Sequence, residues 1–486
     1  MNRLSVLGLT AMFLSATFPV AAEEGDGETG EGRFWFFVKN ISAESDDDEL
    51  RLWVAQPVNH RGQDVEIGEI YPEPYEVVED GLSGNRIIFW RVTDFGGNDG
   101  LLFYYDFDYT VYEVNVDVDP AAVEPYDKES EEYTRYTRSE HWIDLTDAIV
   151  AKSKEIVGDE TNPYIKAGLI FDWVVDNMSY EYPDLGLRGA ANSFTRLKGD
   201  CGEYSVVFCA LCRAQGIPAR TVTCVWFDRA GHQWAEFYVP PYGWIPVDAS
   251  AGDLVEGNNP NFPDEERIRD FMEKKGIPEK NRDYLFGNLY PNRLIVSVGN
   301  NIKVEHTDLG LERDFRFLQP GGLFAHPPAF EWDGLSGQPV VAEFYTFGDG
   351  CDDLETARER ASVEMAVGYL QIGRYEEAEA GFLKKTEAAP EDAMAWLNLG
   401  QAYLEQGKLD EAVKAFNNCL LGKGGGIKPV LDVWARNFLG SCYAETGRTD
   451  EARAEFEAVL ESGFDFDGSL DYAREGLAEL EGTNGE

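Results

Sequence analysis

Positive charge is scarce in this chain: 42 Lys and Arg stand against 89 Asp and Glu, a net charge of −47 over 486 residues. A surface this acidic repels phosphate backbones and anionic lipid, so nucleic acid is not an expected partner and polybasic docking on membranes is disfavoured. The acids are spread along the chain and form no single tail, the pattern of a chain made soluble by its surface. Long apolar runs are equally few. The run at residues 4–18 follows Arg3 and precedes the small residues Val20-Ala21-Ala22, which reads as a secretory signal with the mature chain starting near Glu23. No later run is long enough to span a bilayer, and no Cys lies near the cleavage site to take a lipid anchor. The expected location is therefore periplasmic or secreted, in a bacterial envelope.

Cysteine is sparse and odd in number: Cys201, Cys209, Cys212, Cys224, Cys351, Cys419 and Cys442. An odd count leaves at least one thiol unpaired within a chain. Cys209, Cys212, Cys419 and Cys442 fall in helical apolar patterns, where Cys packs as a small hydrophobe, and this argues against a disulfide framework. The pair Cys209 and Cys212 lies mid-helix, away from the helix start where a low thiol pKa would be expected, so it is not read as a redox or metal motif.

What is present divides by pattern into a multi-domain α+β chain, as its length of roughly three ordinary domains allows. Residues 1–22 are the signal and 23–32 a flexible acidic leader. From 33 to 118, short apolar and aromatic runs alternate with turn formers such as Asp80-Gly81 and Ser83-Gly84-Asn85, which predicts an N-terminal antiparallel β-sandwich. A Tyr- and Glu-rich connector at 119–140 leads into an α+β domain at 140–305, with helices over 144–157 and 163–178. Residues 263–274 form a helix on a surface excursion, and 306–353 are a β-rich extension and linker.

At residue 354 the period changes. Gly373-Arg374-Tyr375-Glu376-Glu377-Ala378 with Phe382 recurs 34 residues later as Gly407-Lys408-Leu409-Asp410-Glu411-Ala412 with Phe416, and again as Gly447 to Ala452 with Phe456. The segment 354–480 thus resembles a tetratricopeptide array, with residues 468–480 as a capping helix and a concave surface for a peptide or protein partner.

The chemistry lies between residues 197 and 250. Asp200-Cys201 opens a helical run that stops at Gly216 and Pro218. Cys201 consequently sits at a helix N-terminus, where free amides and the helix dipole favour a thiolate and can hold an oxyanion. A thiol needs a base, and His232 opens a strand that turns at 240–243 into a second strand ending at Asp248. Asp248 would then hold the tautomer of His232, as the third member of a triad does.

These residues resemble the transglutaminase-like superfamily, with its papain-like fold. The matching stretches are Gly199-Asp200-Cys201-Gly202-Glu203-Tyr204, Gly216-Ile217-Pro218-Ala219-Arg220, His232-Gln233-Trp234-Ala235-Glu236 and Gly243-Trp244-Ile245-Pro246-Val247-Asp248. The resemblance implies Cys201 as nucleophile, His232 as general base and acid, and Asp248 as orienting carboxylate. It further implies that Asp200 and Gly202 fix the nucleophile's turn, that Trp234 and Glu236 shape the site, and that Arg220 is structural, buried against a carboxylate. No calcium-loop spacing occurs, so no metal or other cofactor is expected. The activity implied is that of a cysteine peptidase or amidase acting through a thioester on a protein or peptide. The alternatives are amine transfer by a transglutaminase, a non-catalytic assembly role through the repeats, and a carbohydrate-associated envelope protein.

Overall fold

The structure, a computed structural model, describes residues 27–41, 49–93, 100–181, 188–227, 230–257, 265–277, 281–306, 309, 311–315, 329–333, 339–347, 354–424, 428–466 and 468–482. The signal segment and Cys351 lie outside them. The other six cysteines are free thiols.

The N-terminal part is a pair of four-stranded antiparallel sheets. One runs Val340–Phe347, Glu28–Lys39, Leu101–Val111, Gln63–Tyr71; the other runs Ala329–Asp333, Glu49–Gln56, Arg86–Val92, Glu76–Glu79. Their facing sides meet through Phe34, Phe36, Leu50, Leu52, Trp90, Phe103 and Tyr105. Residues 34–38 are buried without a break, because the opposite side of that strand is covered as well. Trp35 and Phe37 pack with Val340, Ala342 and Phe344 against the first repeat helices at Ala357, Ala361 and Met365. A strand buried on both faces reads as a continuous apolar run, as Phe34-Trp35-Phe36-Phe37-Val38 does.

Two expectations are corrected here. The leader is not flexible throughout, since residues from Glu28 onward already pair with the strand ending at Val111. The sandwich expected at 33–118 does not stop there, because the β-rich 306–353 extension supplies an edge strand to each sheet. The sandwich is therefore completed by residues more than two hundred positions downstream of its other strands.

The central α+β domain has a four-stranded antiparallel sheet in the order Gly243–Val247, Gly231–Val239, Ala219–Trp226, Arg293–Val298. Helix Cys201–Arg213 lies on one face, with Phe208 meeting Phe237 across the interface. Helix Pro163–Asn177 packs behind it, capped by Asn162, whose side chain accepts from the amides of Tyr164 and Ile165. The free edge of strand Arg293–Val298 is closed by two buried amide side chains from the N-terminal sheets. Gln63 donates to the carbonyls of Val58 and Ile295 and accepts from the Ile295 amide, and Asn85 exchanges the same pair of bonds with Val298. They satisfy backbone groups that a neighbouring strand would otherwise take.

The C-terminal helices stack in antiparallel pairs. Ala378, Ala412 and Ala452 are fully buried, and Phe382, Phe416 and Phe456 nearly so. Gly373, Gly407 and Gly447 all have φ near +75° (77°, 70° and 75°) at the turns between paired helices, a conformation that glycine adopts without a Cβ clash. Helix Ser469–Gly482 closes the stack through Ala473 and Leu480.

Candidate active site

Asp200 caps the helix that begins at Cys201. Its backbone is extended, and its carboxylate accepts from the Gly202 amide at 3.0 Å. A Cβ at Gly202 would stand 3.2 Å from both Asp200 Oδ1 and Gln233 Oε1, so this turn has little room for a side chain. Cys201 is partly exposed at the helix start. Ser205, one turn on, donates to the Cys201 carbonyl at 2.7 Å and to the Gln233 carbonyl at 3.2 Å, tying the helix start to the neighbouring strand.

On that strand His232 is buried, and its Nε2 lies 2.7 Å from Asp248 Oδ2. Residues 231–239 and 243–247 form the expected hairpin, with Ala235 opposite Val247, which carries Asp248 back toward the start of the histidine strand. Asp248 also caps the following helix, accepting from the Ala251 amide at 3.0 Å, and takes bonds from Ser250 at 3.0 Å and Tyr290 at 2.9 Å. Burial disfavours its charge, but His232 and these hydrogen bonds outweigh burial and hold its carboxyl below the usual range. An ionised Asp248 accepts the Nε2–H of His232, so Nδ1 is the acceptor whenever the ring is neutral.

The Cys201 thiol is pushed well above its ordinary pKa. Burial is the first cause and the charge of Asp200 the second, with Asp248 and Glu203 adding to them, while the Gln233 backbone N–H pulls the other way. Behind the sulfur, Arg188 holds two carboxyls, Asp200 and Glu203, each at 2.7 Å. Burial and the charge of Asp200 push Glu203 upward, and a hydrogen bond from Glu203 together with Arg188 keeps Asp200 ionised against its own burial. The two carboxyls are thus driven apart, Glu203 upward and Asp200 downward.

The roof over His232 is Trp226, stacked on the imidazole at 4.3 Å and 14°. Lys275 lies over the same indole, with its ammonium 3.8 Å from the ring centroid. The helix Glu265–Lys275, expected as a surface excursion, therefore covers the site: Ile268, Met272 and Lys275 are buried.

Of the residues expected to shape the site, Asp200 and Gly202 form the turn at Cys201 and Trp234 lies beside His232, with ring centroids 6.4 Å apart. Glu236 lies elsewhere. Its carboxylate binds Arg220 at 2.8 Å and His60 at 2.9 Å on the floor of a cavity against the N-terminal sheets. The expectation that Arg220 is buried against a carboxylate fits this geometry. Arg188, Glu203, Ser205, Trp226 and Tyr290 escaped the sequence reading. Glu203 stood within the quoted motif, and its position one helical turn from Asp200 was an available signal; Arg188, Trp226 and Tyr290 reach the site only through tertiary contacts.

Comparison with known proteins finds two families along the chain. Residues 150–249 match the family described as the Transglutaminase-like superfamily. Residues 363–421 and 435–462 match the Tetratricopeptide repeat family. The chain thus carries a transglutaminase-like core domain. C-terminal tetratricopeptide repeats follow it. A protein of uncharacterized function from Haemophilus influenzae is 33% identical over 181 residues, covering 30% of this chain and 45% of that protein. Among solved structures, a candidate cysteine protease from Cytophaga hutchinsonii matches at 13% identity over 67% of this chain and 99% of its own, with a TM-score of 0.39. The periplasmic domain of TgpA from Pseudomonas aeruginosa matches at 13% identity over 50% of this chain and 93% of its own, with a TM-score of 0.25.

Proposed function

We propose that this chain is a thiol enzyme that cleaves peptide or carboxamide bonds, with Cys201 as nucleophile, His232 as proton carrier and Asp248 as orienting carboxylate. The observation that carries the proposal is the buried 2.7 Å bond between His232 Nε2 and Asp248, on a strand that Ser205 ties to the start of the Cys201 helix. The thiol proton passes to His232 Nδ1 as sulfur bonds to the carbonyl carbon, and amides at the helix start steady the oxyanion. Collapse breaks the C–N bond, the amine leaves with the proton from His232, and a thioester remains. Water then gives its proton to His232 and its oxygen to the acyl carbon, releasing a carboxylic acid and the thiol.

An amine in place of water at the last step would make the same site a cross-linking transferase. Hydrolysis is the reading proposed, and a casein digest run with and without a dansyl amine separates the two. Peptide release that persists in excess amine supports hydrolysis; dansyl incorporation without release overturns it. The Cys201→Ala protein should show neither reaction, and activity surviving in it would remove Cys201 from the mechanism.

The repeats are protein-interaction modules, and the partner proposed for them is a peptide or protein delivered to the thiol domain. Export follows from the N-terminal segment headed by Arg3, and the location proposed is the periplasm or exterior. N-terminal sequencing of the protein from an envelope fraction should begin near Glu23. Among the described residues, no helix is long and apolar enough to cross a membrane.

A further inference from the structure

A cavity of 1060 Å³ lies against the sheet on its N-terminal-domain side, and neither Cys201, His232 nor Asp248 lines it. Glu236 is on its floor, 1% exposed, bound by Arg220 at 2.8 Å and facing Nε2 of His60 at 2.9 Å. It is the one buried carboxylate of the lining.

Two guanidiniums of the lining are held by a single residue, Trp244. Arg220 lies on its indole, 3.9 Å from the ring centroid, and Arg61 donates to its carbonyl at 3.2 Å and to that of Tyr242 at 2.9 Å. Arg220 uses Nε and Nη2 on Glu236, so Nη1 is left without a hydrogen bond among the described residues. Arg61, half-buried, makes no ion pair there. Carbonyls satisfy its N–H groups but supply no counter-charge, and burial pulls its guanidinium down from the usual range with only the charge of Glu236 resisting. Arg293 adds a third cation beneath the loop that carries Gly62, its Nη2 2.5 Å from where a Cβ on Gly62 would stand. Its Nε and Nη2 are buried without partners among the described residues, and burial pulls it down to about 10.

One carboxylate therefore faces three guanidiniums, and positive charge is left uncompensated in a low-dielectric setting. His60 does not reverse this. Its Nδ1 is buried with no partner among the described residues. Protonated on both nitrogens the ring adds a donor and a charge; with one proton it adds no charge. The group that completes such a site is an anion, and a carboxylate suits it because its two oxygens can each accept an N–H from neighbouring guanidiniums. Asp64, Asp127 and Glu132, exposed at the mouth, are screened by water but repel a dianion more than a monoanion. Tyr126 and Tyr133, with ring centroids 5.4 Å apart, stand with Leu82, Pro125 and Pro218 as an apolar wall for a hydrocarbon or aromatic body behind the charge.

We infer that this cavity binds a monocarboxylate carried on an apolar chain, from the C-terminus of a peptide or from a free organic acid, through Arg220 Nη1 and Arg61. The site is separate from the thiol and does not depend on the chemistry proposed for it. The test is calorimetric titration of the full chain with hydrocinnamate and with N-acetyl-glycyl-phenylalanine, each beside its neutral amide. Saturable one-to-one binding of the acids is expected, about tenfold tighter than that of the amides. The Asp127→Asn/Glu132→Gln protein, changed only at exposed side chains, should bind the acids about threefold more tightly because its mouth repels them less. Arg61→Gln, which keeps a donor for the hairpin carbonyls, should bind them about tenfold more weakly, and Cys201→Ala should bind as the parent does. Preference for the dipeptide identifies a peptide C-terminus, and preference for hydrocinnamate identifies a free acid. Equal binding of the amides, tighter binding of inorganic phosphate, weaker binding in Asp127→Asn/Glu132→Gln, loss of binding in Cys201→Ala, or no saturable binding of either acid would each overturn the inference.

Discussion

At Cys201 two influences oppose each other: the helix start favours a thiolate, while burial and the neighbouring carboxylates favour the thiol. The second set outweighs the first and holds the thiol above its ordinary pKa, and in the mechanism proposed above its proton passes to His232. Alkylation of Cys201 by iodoacetamide should accordingly climb through the alkaline range. In Asp200→Asn, which removes the nearest negative charge, that climb should begin at lower pH; an unshifted profile would mean that Asp200 does not act on the sulfur. Asp253 gives a second prediction. It is buried, neither oxygen makes a well-formed hydrogen bond among the described residues, and burial raises its carboxyl to about 7, with the nearby Tyr204 hydroxyl only partly offsetting it. Because its folded pKa lies above the unfolded value of 3.8, the stability it contributes is present below that value and is lost as pH rises through about 7. Asp253→Asn should therefore stabilise the protein by about 1–2 kcal/mol at pH 8, with the gain shrinking toward pH 4. A pH-independent change in thermal midpoint would contradict this assignment.

Among the elements, those with strict internal periods were legible from sequence and those defined by their neighbours were not. Helix Cys201–Arg213, the two hairpin strands and the repeat helices fall close to their expected ranges, since apolar spacing and caps specify them locally. Helix Glu265–Lys275 was also legible as a helix, but its role was not: only the fold reveals that Trp226 lies between Lys275 and His232. In the repeats, Phe456 packs directly on Gly440, where a Cβ would stand 2.6 Å from the ring. Gly440→Ala should destabilise the chain by about 1–3 kcal/mol despite alanine's better helix propensity, and adding Phe456→Leu should restore part of the loss. Urea denaturation checks both; a stabilised single variant would show that the helices can separate without cost.

For the molecule as a whole, the N-terminal sheets are tied to the thiol domain by the amides of Gln63 and Asn85, both fully buried. Gln63→Leu leaves the backbone N–H of Ile295 and the carbonyls of Val58 and Ile295 without this partner, and a loss of about 2–3 kcal/mol is expected in urea denaturation. Proteolysis should open the boundary between the sheets and the thiol domain sooner in this variant than in the parent. Equal stability and equal cleavage would indicate that apolar contacts alone hold the two parts together. The same docking brings His60 against Glu236 and lets Arg61 donate to the hairpin carbonyls of Tyr242 and Trp244.

The sequence by itself determined the helix start at Cys201, the hairpin joining His232 to Asp248 and the 34-residue repeat, because each depends on residues close together in the chain. It did not disclose that strands 329–333 and 340–347 close the N-terminal sheets, that Trp226 stacks on His232, or that Glu236 turns to His60 and Arg220. Those outcomes belong to the tertiary structure. A strand's partner and a buried charge's counter-ion are chosen by what else can reach them in space, and local periodicity carries no record of that choice.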